Sequence, residues 1–217
     1  MLLRSEPAGS ASAARASALG INVRSVPLFA VKPAPWKAPD PALYDALLLT
    51  SANALLHGGA ELARLKSLPV FAVGASTATA ARDVGFEVAE EGGGGVAALL
   101  AVVPSGIRLL HLAGRDRIIA NQAAQRIDTL IVYAAEALPK PAGVDGLAGC
   151  VVALHSPRAA ARLAALMERT AVDRASIALL ALSPAVADAA GGGWERVAVA
   201  SSPTDAALLA LAAELCL

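Results

Sequence analysis

The segment LLLTSAN at residues 47–53 decides the fold, because an apolar strand ends there in hydroxyl and amide side chains and leads directly into a helical stretch. A second segment of the same design, VVALHSP, stands about a hundred residues later, at residues 151–157. Self-similarity at a fixed offset indicates a repeated structural unit. We therefore expect one strand, serine and helix unit to be used twice.

The match continues in order beyond both segments. Residues 70–76, VFAVGAS, correspond to residues 178–184, ALLALSP, and each opens an alanine-rich helix. Those helices stop at a glycine followed by an aromatic residue, at residues 85–86 and 193–194. Short apolar runs that alternate with longer helices predict parallel strands covered on both faces.

The predicted fold class is α/β, with two similar small parallel-sheet lobes of Rossmann-like type and flavodoxin-like strand order, joined by a two-strand hinge. One strand-helix-strand piece remains for each lobe, at residues 2–27 and 108–133, and the second has its helix expected over residues 118–126. If both lobes share one design, the first residues of the chain belong to lobe A, the middle of the chain forms all of lobe B, and the C-terminal part completes lobe A. The predicted boundaries are residues 1–27 with 143–217 for lobe A, 34–133 for lobe B, and 28–33 and 134–142 for the linkers.

Composition argues against several classes of protein. Hydrophobic residues make up 56 % of the chain, yet its most apolar stretch, residues 175–190, is broken by serine, proline and aspartate. Lysine plus arginine and aspartate plus glutamate number 18 each, and aromatics are 3 %, so a nucleic-acid surface is not expected. Charge and proline precede any signal-peptide core, and the two cysteines lack metal-ligand spacing. We expect a cytoplasmic monomer with reduced thiols and no membrane partner.

Several weak motifs in a fixed order give the chain a resemblance to the uroporphyrinogen-III synthase family along nearly its whole length. They are RSEPAG at residues 4–9, TSANA at 50–54, FAVG at 71–74, LAGR at 112–115, VY at 132–133 and SPT at 202–204. The sequence departs from the family pattern at Leu3 and His155, where threonine is usual, and at Ala134, where a polar residue is usual.

The resemblance implies a cofactor-free enzyme of tetrapyrrole and haem synthesis. Its substrate would be linear hydroxymethylbilane, a small molecule with eight carboxylates. Closure to uroporphyrinogen III loses water and inverts ring D through a spiro intermediate. Two alternatives stay open: a non-enzymatic bilobal module that binds an anionic metabolite, and an inactive member of the family.

The candidate binding residues follow predicted strands, because ligands of open α/β sheets lie beyond the carboxyl ends of the strands, where helix N-termini present free N–H groups. Capping of helices is the alternative role for each serine. The predicted substrate-binding residues are Arg4, Thr50, Ser51, Asn53, Gly74, Ala75, Ser76, Arg115, Ser156, Ser183 and Thr204.

Tyr133 is the predicted catalytic residue, since it ends an apolar strand at the expected lobe junction and its phenol can donate a hydrogen bond to a leaving hydroxyl. Packing alone is the alternative role for this ring. The histidines, His57, His111 and His155, have no metal-ligand spacing, so we predict structural roles for them and no metal. The residues after Gly74 lack the later glycines of a dinucleotide fingerprint.

Overall fold

The computed structural model of the protein describes residues 1–116 and 124–216. The chain divides into two compact units: unit 1 comprises Met1–Ala30 with Glu136–Leu217, and unit 2 comprises Val31–Ala135. Each unit has its own sheet with parallel strands, so the predicted α/β class is confirmed. Within the described ranges, no helix is both long and apolar enough to cross a membrane.

The sheet of unit 2 has the order β1-β6-β5-β2-β3-β4. Strands β2 to β6 run parallel, and counting β5 and β6 before β2 gives the order 2-1-3-4-5, which is flavodoxin-like. The strands are β1 (Phe29–Pro33), β2 (Ala46–Leu49), β3 (Val70–Val73), β4 (Val88–Gly92), β5 (Arg108–Gly114) and β6 (Arg126–Ala137).

The strand β1 lies beside β6 at the sheet edge. The Ala34 N–H donates to the Val132 carbonyl at 3.0 Å, and the Leu138 N–H donates to the Leu28 carbonyl at 3.0 Å. Residue numbers that rise on one strand while they fall on the other show that this pair is antiparallel. The chain passes from one unit to the other within these two strands, which together we call the connecting ribbon.

The central strand β2 explains why the sequence there is apolar without alternation. Leu47 and Leu49 pack into one core cluster, with helices α2 (Asn53–His57) and α3 (Ala75–Asp83) on their side. Leu48 packs into another with α4 (Gly95–Val102). A parallel strand that is covered on both faces needs an apolar side chain at every position. Short 3₁₀ segments stand at Pro41–Leu43 and Gly59–Leu65.

The sheet of unit 1 repeats this order. Strands β7 (Val151–Leu154), β8 (Ala178–Ala181) and β9 (Arg196–Val199) are parallel, and Leu2 bridges in parallel both to Ala153 and to Ser25. The spatial order is therefore Ser25, Leu2, β7, β8 and β9. Numbered along the chain from Leu2, this is again the strand order 2-1-3-4-5. The helices are α1 (Ala8–Ala18), α5 (Pro157–Met167), α6 (Pro184–Ala190) and α7 (Asp205–Cys216), with 3₁₀ turns at Val144–Gly146 and Arg174–Ser176.

Two expectations need correction, one about the strands of unit 1 and one about a helix of unit 2. The strands expected at residues 2–3 and 22–27 are reduced to single bridges, because Leu2 supplies the only backbone bridge to each neighbour in the described chain. Arg126 is not helical, since its N–H donates to the Ile107 carbonyl at 3.0 Å and starts β6. Residues 118–123 of the expected helix lie outside the described residues.

Candidate functional site

The carboxyl edge of the unit 2 sheet gathers most of the predicted site residues. Parallel strands β2, β3 and β5 end at neighbouring register positions, so the residues that follow them stand at one edge. On the other side of β5, Gly114 is in register with Tyr133. The residues that the structure places at this edge are Thr50, Ser51, Asn53, Gly74, Ala75, Ser76, Arg115 and Tyr133.

The hydroxyl groups that follow β2 are engaged within the protein. Thr50 Oγ1 lies 3.1 Å from Nε2 of the buried His111, and Ser51 Oγ accepts the Asn53 N–H at 3.2 Å. Asn53 Oδ1 is different, because it is buried and has no hydrogen-bond partner among the described residues. A buried acceptor without a partner carries a desolvation cost, which a bound donor would remove.

The turn after β3 exposes backbone donors. Gly74 has φ 84° and ψ 150°, a conformation open to glycine alone, and its N–H donates to the Gly92 carbonyl at 2.7 Å. No side chain caps α3. The N–H groups of Ala75 and Ser76 consequently have no partner within the described chain, which suits this helix N-terminus to an anion.

Gly114 and Tyr133 are packed against each other. A Cβ on Gly114 would lie 2.6 to 2.9 Å from ring and hydroxyl atoms of Tyr133. The half-buried tyrosine ring also packs against the core of unit 2. The Arg115 N–H donates to the Tyr133 carbonyl at 3.0 Å, and the Arg115 side chain is exposed. The LAGR motif therefore owes its glycine to the tyrosine of the next strand.

His57, for which the sequence predicts only a structural role, is a neighbour of Tyr133. The two ring centroids are 6.3 Å apart, with an angle of 36° between the ring planes. Because 61 positions separate His111 from Thr50 and 76 separate His57 from Tyr133, no short sequence motif could have revealed either pair.

The remaining predicted residues, Arg4, Ser156, Ser183 and Thr204, belong to unit 1. Ser156 Oγ accepts the Ala159 N–H at 3.2 Å, and Thr204 Oγ1 accepts the Ala207 N–H at 3.2 Å, so both hydroxyls cap helices. Ser183 occupies the corresponding position of α6 without a side-chain capping bond. Two of these three hydroxyl residues, Ser156 and Thr204, thus cap a helix, and Ser183 does not.

Asp205 and four side chains around it form a polar group that the sequence did not reveal; we call it the Asp205 cluster. Its members are Arg4, Ser12, Arg15, His155 and Asp205. Asp205 Oδ1 accepts from Ser12 Oγ at 2.7 Å and from Arg4 Nη1 at 3.2 Å, and Oδ2 accepts from Arg15 Nε at 2.7 Å. His155 Nε2 lies 2.6 Å from Oδ1.

The cluster fixes the charge states of its members. Although burial raises the pKa of Asp205, hydrogen bonds from Ser12, Arg15 and His155 outweigh it and lower the pKa to about 2. Burial lowers the pKa of His155 from 6.5, against the opposing effect of Asp205. His155 Nδ1 is buried without a partner in the described chain, which also disfavours the protonated ring.

We expect acid to destabilise the protein in two windows that the Asp205 cluster sets. Below pH 6.5 the unfolded chain takes up a proton that folded His155 resists, so stability falls as the pH falls from 6.5 towards the lowered pKa. The stabilisation from Asp205 is lost between pH 3.8 and about 2. Urea denaturation at pH 7.5, 6.5 and 5.5 measures the first effect.

His155→Gln is the comparison variant, since it removes only the His155 ring and leaves His57 and His111 in place. The variant is expected to lose less stability than wild type between pH 7.5 and 5.5. Equal losses in the two proteins would show that His155 does not set this window.

Two concavities of unit 1 lie at the opposite, amino edge of its sheet. They measure about 400 and 510 Å³ and share Gly149, Cys150, Val151 and Leu215 as lining residues. They lack the free helix N–H groups and hydroxyls of the carboxyl edges, so they are not the candidate site.

The fold and the site together define an α/β protein with parallel sheets, whose carboxyl edges present hydroxyl and arginine side chains and, in unit 2, free helix N–H groups. The family model described as uroporphyrinogen-III synthase HemD matches residues 10–210. The chain therefore belongs to the uroporphyrinogen-III synthase family, as the resemblance in its motifs indicated, and is an enzyme of tetrapyrrole biosynthesis.

A solved structure from Helicobacter pylori agrees with this fold. The chain is similar to uroporphyrinogen-III synthetase from Helicobacter pylori 26695, with 16 % identity, a TM-score of 0.64, and coverage of 88 % of this chain and 92 % of that one. A mutant uroporphyrinogen III synthase from the extremely thermophilic bacterium Thermus thermophilus is 19 % identical, with a TM-score of 0.46 and coverage of 99 % and 97 %. A search of curated proteins finds no match to this chain.

Proposed function

We propose that the protein closes linear hydroxymethylbilane to uroporphyrinogen III, with loss of water and inversion of ring D through a spiro intermediate. One observation carries the proposal: the carboxyl edge of unit 2 combines free N–H groups at the start of α3 with the half-buried Tyr133. The first feature suits a carboxylate. The second supplies a hydroxyl donor at the same edge of the sheet.

The proposed reaction requires neither electron transfer nor a metal ion. The substrate hydroxyl leaves with one proton as water. Inversion through the spiro intermediate forms two carbon–carbon bonds and breaks one, so that one carbon–carbon bond is gained, and one ring proton is released. The sum is the loss of one water, without change of oxidation state. The protein must bind the chain, supply and accept a proton, and direct which ring position forms the bond.

Tyr133 is the proposed donor to the leaving hydroxyl. Its ring is held between Gly114 and the core of unit 2, which fixes the direction of the hydroxyl group. Arg115 follows Gly114 at the same edge and is exposed, so its guanidinium is free to meet a substrate carboxylate. The N–H groups of Ala75 and Ser76 and the orphan Asn53 oxygen complete the proposed set in unit 2.

The connecting ribbon is the proposed hinge between two lobes, here taken as residues 1–27 with 143–217 and residues 34–133. A pair of hydrogen-bonded strands can bend and still keep its partners. Limited proteolysis that released a folded N-terminal half and a folded C-terminal half would contradict this division.

The decisive experiment supplies freshly prepared hydroxymethylbilane and identifies the cyclic isomer by chromatography of the oxidised porphyrins. The enzyme is expected to yield the type III isomer, whereas the substrate in buffer alone closes without inversion to type I. Type I product at the rate of the buffer control would overturn the proposal and favour a binding module or an inactive family member.

Tyr133→Phe is expected to lower kcat about tenfold to a hundredfold without loss of fold, because it removes a hydroxyl donor while it keeps the ring. Tyr44→Phe is the matched control, since the hydroxyl of Tyr44 bonds to Asp128 Oδ2 at 3.1 Å, away from the carboxyl edge. A steady-state assay of both variants measures the difference. Unchanged kcat in Tyr133→Phe would leave Tyr133 with a packing role only.

A further inference from the structure

The Asp205 cluster contains more positive charge than its carboxylate can neutralise. Arg4 and Arg15 each carry one charge, Asp205 carries one negative charge, and burial lowers the pKa of His155 so that its ring is neutral near pH 7. No other acidic side chain in the described chain bonds to either guanidinium. The cluster therefore has a net charge of about +1.

The two guanidinium groups also have donors to spare. Arg4 uses only Nη1, for Ser12 and Asp205, so its Nε and Nη2 have no partner within the described residues. Those two groups form a parallel pair, which is the geometry that a carboxylate accepts in bidentate fashion. Nη1 of Arg15 is likewise without a partner in the described ranges, and its side chain is 51 % exposed.

The position of the cluster is that of a ligand site. Arg4 comes shortly after the bridge at Leu2, His155 follows β7, and Asp205 begins α7 after β9. These residues lie at the carboxyl edge of the unit 1 sheet, where α/β proteins bind their ligands.

We propose that Arg4 and Arg15, held in place by Asp205, bind one carboxylate of the tetrapyrrole substrate, so that Arg15 is a binding residue and Asp205 a positioning residue. The inference rests on the proposed function for the identity of the ligand. Asp205 holds both guanidinium groups through different oxygens, Oδ1 for Arg4 and Oδ2 for Arg15. Ser12 hydrogen-bonds to Arg4 and Arg15 and buttresses the arrangement.

The first test separates binding from turnover with Arg15→Gln. We expect KM to rise about tenfold with kcat within about twofold of wild type, because the lost contact is made equally in the ground and transition states. Arg15→Lys should recover part of the affinity, since it keeps the charge but not the forked geometry. Arg108→Gln is the matched control, because Arg108 is also an exposed arginine paired with an aspartate, Asp45, at the opposite edge of unit 2.

The second test uses the sign of the change in Asp205→Asn. Removal of this carboxylate raises the local positive charge, so attraction by net charge alone would lower KM. A positioning role predicts the reverse, a KM raised about fivefold to tenfold, because the guanidinium groups lose their anchor. Circular dichroism confirms that the variant is folded before KM is compared.

Failure of the subsite and failure of the proposed function are distinguishable. Fluorescence titration with uroporphyrin, an octacarboxylate that the enzyme does not turn over, gives a Kd that does not depend on activity. We expect Arg15→Gln to weaken this binding about tenfold and Arg108→Gln to leave it unchanged. If wild type makes type III product while KM and Kd of Arg15→Gln stay within twofold of wild type, the subsite is refuted and the proposed function stands. If wild type makes only type I product, the proposed function fails, and the Kd alone decides on the subsite.

Discussion

Replacing Gly114 with alanine is expected to lower kcat at least about tenfold while the protein stays folded. The new Cβ would lie 2.6 Å from Cε2 of Tyr133 and 2.9 Å from its hydroxyl oxygen, far inside van der Waals contact. The ring end is the part that can give way, so the hydroxyl moves from its place. We expect a loss of stability of about 1–3 kcal/mol, as for other overpacked sites. Steady-state kinetics and urea denaturation measure the two effects.

Gly192→Ala is the matched control, because a Cβ there meets no atom within 4 Å and the backbone is not in the left-handed region. A double-mutant cycle then tests the cause. In a Tyr133→Ala background no ring stands in the way, so the added methyl group should change kcat little. An equal fall of kcat with and without the ring would mean that Gly114→Ala acts on something other than Tyr133.

Leu48→Ala is expected to cost about 2–5 kcal/mol of stability. Leu48 is 0 % exposed on the central strand β2 and packs with Leu99, Leu100 and Val103. Parallel strands lie on both sides of β2, so the backbone cannot collapse into the space that the side chain leaves. The urea midpoint should fall with little change in the slope of the transition.

Leu43→Ala serves as the control for this loss. Leu43 lies in the 3₁₀ segment just before β2 and is 55 % exposed, so its truncation should change stability by less than about 0.5 kcal/mol. Similar losses in both variants would contradict the central place given to β2 in the core.

The fold can be predicted from the repeated unit because the residues that define each strand and helix start are neighbours in the sequence. Residues 47–53 and 151–157 each contain a buried strand, its end and the start of a helix within a few positions. The short strands of unit 1 were harder, since Leu2 owes its place to Ala153, 151 positions away. Strand pairing of that kind depends on the tertiary fold more than on propensity.

The sequence predicts the backbone features of the candidate site, but not the contacts between its side chains. The turn at Gly74 follows from a strand, a glycine and a helix in sequence, whereas the partners of Arg4 come from segments far apart in the chain. Asp205 is 201 positions from Arg4 and 50 from His155. The local sequence indicates only that Asp205 is an acidic residue at the start of a helix, and not that it contacts Arg4 or His155. The cytoplasmic location and the monomeric state remain predictions.

The connecting ribbon has a consequence for synthesis of the protein on the ribosome. Unit 2 is one continuous segment and is complete once Ala135 has been made, but unit 1 needs both ends of the chain. Leu2 must wait for Ala153, and the amino group of Met1 must wait for the Val151 carbonyl, to which it donates at 2.7 Å. At about 5–20 residues per second this delay is on the order of ten seconds, during which the N-terminal segment has no partner for its bridges. Unit 2 is thus expected to fold first. The N-terminal segment of unit 1 can pair only later, when the C-terminal part of unit 1 has been made.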